Sequence, residues 1–164
     1  IPENLIEEEI MEDILDSKDF RTHLPVMPVQ NQPSWDSLQI NGVVEKYLEL
    51  KLEDLSKLSQ STVTADFECH DGWVAVDQKW EGVSVKALLA EAGVVSNTLN
   101  VVFNSGEYQL KLTVGEASEI DVIIALQLNG GILASGNGGP CRLIAGKRKG
   151  PAHVKWLQCI TVTK

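Results

Sequence analysis

Two parts of this sequence carry side chains suited to chemistry. One is the stretch from Asn129 to Trp156, which combines a glycine-rich loop with the cations Arg142, Lys147, Arg148, Lys149 and Lys155. The other is Cys69, at the end of an alternating segment. Asp121 is the last acidic residue. Beyond it lie six Lys/Arg, whereas the first 121 residues hold eight Lys/Arg and all 23 acids, a formal −15 in a chain of net charge −9. Glycines let backbone N–H groups approach a ligand closely, and converging N–H groups and cations bind anions. Arg142 can fork onto phosphate oxygens, with Lys147 and Lys155 as point charges. These features predict a pocket for a phosphorylated ligand. The alternative is a solvated basic face that pairs with the acidic half. The loop is not a P-loop, because Gly139 and Gly146 are too far apart for G-x-x-x-x-G-K, and no G-x-G-x-x-G opens a helix after a strand.

Cys69 closes the segment Thr62–Cys69, in which Val63, Ala65, Phe67 and Cys69 share one face of an extended chain. It reads either as a buried cysteine acting as a small hydrophobe or as a thiolate ligand at a strand terminus. Zinc is disfavoured, since no second Cys or His stands at ligand spacing. The three cysteines, Cys69, Cys141 and Cys159, do not make a disulfide framework. Arg21 and His23, two apart in the extended stretch Phe20–Pro28, point to one side.

Composition narrows the function classes. The length of 164 residues suits one domain, and 43% hydrophobic with 23% charged residues is ordinary for a globular chain. A pI near 4.8 argues against nucleic acid as a partner. No apolar run approaches the ~20 residues of a membrane span. The chain begins at Ile1 without Met, which leaves a removed export signal open.

The elements that must position these residues follow from periodicity. Asn4–Asp16 reads as an amphipathic helix, and residues 1–19 as a lead-in to a single domain over 20–164. Trp35–Leu52 alternates around Asn41-Gly42, a hairpin signal. Leu52–Leu58 reads as one or two helical turns, and Trp80-Glu81-Gly82 as a turn. Ser84 caps a helix with apolar Val85, Leu88, Leu89 and Ala92, stopped by Gly93. Leu99–Phe103, Tyr108–Val114, Asp121–Leu128 and Val154–Val162 read as strands, the third nearly all apolar and hence central. Short strands with few helices predict an α+β fold, mixed and mainly β.

Four segments, in order and covering nearly the whole chain, carry a resemblance. They are F-R-T-H-L-P at 20–25; D-F-E-C-H-D-G-W at 66–73 with W-E-G-V at 80–83; D-V-I-I-A-L-Q-L-N-G at 121–130; and N-G-G-P-C-R-L-I with H-V-K-W at 137–144 and 153–156. The sequence resembles the sulfite oxidase-type molybdopterin-binding domain of sulfite oxidases, plant-type nitrate reductases and the periplasmic methionine-sulfoxide reductase catalytic subunit.

The resemblance implies a molybdenum–molybdopterin cofactor, with a tungsten form as the variant, and Cys69 as the protein thiolate on the metal. It implies cofactor contacts at Arg21, Thr22, His23, Ser105 and Asn137, and pterin-phosphate contacts at Arg142, His153, Val154 and Lys155. Arg21 is also the expected cation for orienting substrate, beside Cys69 as the second catalytic residue. The implied activity is oxygen-atom transfer to or from a small oxo-acceptor or oxo-donor, with a separate electron-transfer partner. The alternative is a non-catalytic module of the same fold that holds an anion or the cofactor.

Departures from the family bear on substrate. Sulfite oxidases follow the metal cysteine with a Gly-Asn-Arg segment, whereas His70-Asp71-Gly72-Trp73 follows here, and Asp71 would repel sulfite. Asn137 stands where sulfite oxidases have His and looks like the Asn of the methionine-sulfoxide reductase branch. The segment that supplies the sulfite oxidase tyrosine, the immunoglobulin-like domain and a haem domain are expected to be missing from this chain.

Overall fold

The computed structural model describes residues 19–21, 34–68, 73–94, 96–97, 99–148 and 152–164. The expected helix at 4–16, most of the extended stretch after Arg21, and the segment 69–72 lie outside the described residues. Strands dominate and form two sheets, as the mixed, mainly-β expectation requires.

The first sheet runs β1 (Asp19–Arg21), β5 (Trp73–Ser84), β8 (Val122–Leu128), β10 (Arg142–Ala145), with β4 (Ser61–Glu68) also on β5 and β9 (Gly131–Ile132) also on β8. The second runs β3 (Leu48–Leu50), β2 (Leu38–Gly42), β11 (Cys159–Thr163), β6 (Asn100–Ser105), β7 (Tyr108–Thr113). Strand β8 lies between β5 and β10, and its Val122–Leu126 run is buried, which is why it lacks an alternating pattern.

The helices obey local signals. In α1 (Leu52–Lys57) Leu55 is buried. In α2 (Val85–Ala92) the Ser84 hydroxyl accepts from Ala87 N at 3.1 Å, Gly93 closes the helix at φ +79°, and Val85, Leu88, Leu89 and Ala92 are buried. The short α3 (Val114–Ala117) carries a capping box between Thr113 and Glu116. The main core gathers α2 with Leu38, Ile40, Val101, Phe103, Leu143, Leu157 and Ile160. A smaller cluster of Phe67, Ala75, Trp80, Ile123, Ala125, Leu133 and Ile144 lies beside it.

Three local expectations need correction. Trp80-Glu81-Gly82 is not a turn but the interior of β5, with a register irregularity between Glu81 and Gly82. The glycine is needed there because a Cβ would overlap the Ile124 carbonyl of β8. Strands β2 and β3 do pair antiparallel, but Asn41-Gly42 ends β2 and residues 43–47 make the connection. Gly42, at φ +93°, instead lets the chain pass close to the Val162 carbonyl of β11. The last strand begins at Cys159 rather than Val154, because residues 153–157 are engaged with the glycine-rich loop.

Candidate functional site

After β9 the chain makes a single 3-10 turn, Ser135–Asn137, then Gly138 at φ +101° and a cis Gly139–Pro140 bond, before entering β10. The N–H groups of Asn137 and Gly139 donate to the Ala134 carbonyl at 2.9 Å, and that of Gly138 to Ser135 at 3.0 Å. These N–H groups are thus engaged within the turn and do not form the expected anion cradle.

The carbonyls face the other way. Ser135 O accepts from Trp156 Nε1 (2.7 Å), Gly136 O from Lys155 Nζ (3.2 Å), Asn137 O from Arg142 Nη1 (3.1 Å), and Gly138 O from Trp156 N (2.9 Å). Four consecutive carbonyls therefore clasp the basic segment. Trp156, at φ +50°, takes a backbone conformation unfavourable for a bulky residue, and two of these four bonds hold it there.

Arg142 opens β10 and is only 4% exposed. Besides Asn137 O, its Nε reaches His153 O at 2.8 Å, and the guanidinium lies 4.9 Å from the Phe67 ring and 5.6 Å from the Trp80 ring. A Cβ on Gly138 would come within 2.9 Å of both Arg142 Cδ and Lys155 Cγ. The stems of the two cations thus converge on this one glycine.

His153 and Val154 run along the outer edge of β10. Leu143 N donates to Val154 O at 2.9 Å, and Ala145 N donates to His153 Nδ1 at 2.8 Å. A ring nitrogen that accepts is unprotonated, so the neutral imidazole carries its proton on Nε2. Burial, and next the charge of Arg142, push the His153 pKa down to about 4. The ring packs 5.2 Å from Phe67.

Asn137 and Ser105 are both under a tenth exposed, yet neither side chain has a hydrogen-bond partner among the described residues. Among the described residues no buried side-chain polar atom is left unpartnered, so these two polar ends reach the surface of otherwise buried residues, as groups that meet a ligand or water would. Ser105 ends β6, next to the 153–158 segment: Gln158 N donates to Asn104 O and Gly106 N to Gln158 Oε1, each at 2.9 Å.

The expected residues divide accordingly. Asn137, Arg142, His153, Val154 and Lys155 come together, with Ser105 on the neighbouring sheet. Arg21 is in register with Ala75 on one side of β5, and Phe67 is in register with Ala75 on the other, so Arg21 stands two strands from the end of β4. Thr22, His23 and Cys69 lie outside the described residues.

The other described cations of the run lie apart from this cluster, and Lys149 lies outside the described residues. Lys147 is exposed, and Arg148 pairs with Glu116 and Glu119. Cys141 is fully buried, donates to Leu157 O at 3.4 Å, and has its pKa raised to about 12 by burial, so it remains a thiol. Among the described residues no cluster of three or more His, Cys, Asp or Glu is arranged to hold a metal, and no helix is long and apolar enough to cross a membrane. Phe67 and Trp80 were not foreseen as site residues. The alternation through β4 already placed Phe67 inward, but aromatic residues at inward positions ordinarily read as core.

Comparison with known proteins extends this picture. The chain is 25% identical to a sulfite oxidase of Arabidopsis thaliana over 87% of its length. It is 25% identical to the uncharacterized oxidoreductase YuiH of Bacillus subtilis over 90% of its length and 78% of that protein's. Among solved structures, the sulfane dehydrogenase SoxCD from Paracoccus pantotrophus superposes with a TM-score of 0.70 at 25% identity, over 86% of this chain. The chain spans 45% of the plant sulfite oxidase and 41% of the SoxCD chain. The family model described as oxidoreductase molybdopterin binding domain matches residues 23–164. With the two-sheet fold and its clasped basic segment, the chain belongs to the oxidoreductase molybdopterin-binding domain family.

Proposed function

We propose that this chain holds a molybdopterin cofactor for an oxidoreductase that moves an oxygen atom to or from a small substrate. The observation that carries the reading is the convergence of Arg142 and Lys155 on Gly138, next to Asn137, whose polar end is open, as is that of Ser105 on the neighbouring sheet. That donor set suits the phosphate and the polar ring edge of a pterin. Arg142 and Lys155 would bind the phosphate, with the main chain of His153 and Val154 holding the basic segment in place. Asn137 and Ser105 would meet polar cofactor atoms, together with Arg21, Thr22 and His23.

Cys69 would supply the thiolate, a soft ligand suited to molybdenum or tungsten. When bound, the group supplies two-electron redox chemistry and accepts or donates the oxygen atom. Arg21 would orient an anionic or polar substrate, and electrons would pass to or from a separate partner.

Elemental analysis for molybdenum and tungsten, with an assay of released pterin, tests this on protein from a host that makes the cofactor. We expect about one metal atom per chain. Cys69→Ser should retain the fold and lose oxygen-atom transfer. Full activity in that variant would remove Cys69 from the metal. Absence of both metal and pterin, from a host that loads a control molybdoenzyme, would leave only an anion-binding module.

A further inference from the structure

The strand that leads to Cys69 and the strand that carries Arg142 meet at one side chain. Phe67 lies two residues before Cys69, so covalent geometry keeps the two Cα atoms within about 7 Å. Its ring lies 4.9 Å from the Arg142 guanidinium carbon, 5.2 Å from the His153 ring and 5.8 Å from the Trp80 ring. Arg142 is therefore held by the carbonyls of Asn137 and His153 and by the adjacent Phe67 and Trp80 rings. An aromatic face attracts a cation without accepting its N–H groups in the way a carboxylate does. The rings thus help to hold the guanidinium in place.

We propose that Phe67 is a positioning residue for cofactor binding: its ring holds the Arg142 guanidinium in place and, through β4, ties it to the chain two residues before Cys69. This rests on the reading of Cys69 as the metal thiolate and Arg142 as the phosphate contact.

The test uses the full chain with Phe67→Leu, Phe67→Met and Phe67→Tyr. Two quantities are read: hydrogen exchange of the Arg142 Nε–H by NMR in cofactor-free protein, and molybdenum and pterin content after expression in a loading host. Circular dichroism serves as the control for folding. Both aliphatic variants should speed Nε–H exchange and lower cofactor content, each by about tenfold, while Phe67→Tyr stays near wild type. Wild-type loading in the folded aliphatic variants would overturn the proposal, whether or not exchange changes. If exchange depends on the ring but even the wild type carries no metal or pterin, the cofactor reading fails and Phe67 positions Arg142 for another anion.

Discussion

Arg142 and Arg148 stand six residues apart in one basic run, and the fold treats them oppositely. Arg142 is 4% exposed, bonded to two carbonyls and covered by two aromatic rings. Arg148 sits at the surface, 3.3 Å from Glu116 and 3.1 Å from Glu119, and ties α3 to the turn after β10. Carbonyl dipoles and ring quadrupoles hold the first, whereas two carboxylates pair with the second. A run of cations in the sequence is therefore not one electrostatic object. Part of it is drawn inward against the glycine-rich loop, and part returns to the acidic half of the chain.

Removing each side chain sharpens the contrast. Arg142→Ala empties a packed position and strands two buried carbonyls, and should cost about 4 kcal/mol in denaturant unfolding. Cofactor content should fall as well; unchanged content would show that Arg142 is framework alone.

Acid attacks the same region through His153. Its folded pKa lies near 4 against an ordinary 6.5, so the unfolded chain binds the proton more readily between those values. Stability is then complete above pH 6.5, falls as pH drops through that window and levels off below pH 4, by on the order of 3 kcal/mol. His153→Asn, whose amide oxygen can accept from Ala145 N, should flatten this acid limb. An unchanged slope in the variant would assign the acid sensitivity elsewhere.

Arg148→Ala should have the smallest effect. It should lower the melting temperature by about 2 °C or less at low salt, with the difference fading at high salt, as expected of exposed ion pairs. A loss as large as that of Arg142→Ala would break the distinction between the two arginines.

The contrast also explains what could be read in advance. The Ser84 cap, the Gly93 stop and the apolar β8 run are local signals, and the fold obeys them. Gly82 and Gly42 were misjudged because a glycine that makes a turn and one that lets another strand pass close look alike in one dimension; the Ile124 and Val162 carbonyls decide between them. Strand β10 was hidden because four residues flanked by glycines and opened by an arginine resemble a loop; only its pairing with β8 makes it a strand. The cations were legible, but their partners were not: the carbonyls of residues 135–138 and the ring of Phe67 come from elsewhere in the chain, and carbonyls have no sequence signature.

Such a site can diversify without losing its frame. The clasp on the basic segment is made by main-chain oxygens of Ser135, Gly136, Asn137 and Gly138, which every residue type possesses. The side chain at 137 can therefore be exchanged, and a new preference tried, while the oxygen that holds Arg142 stays in place. Mutational drift at the rim is uncoupled from the frame, with Gly138 the exception, since a methyl group there would press on both cationic stems.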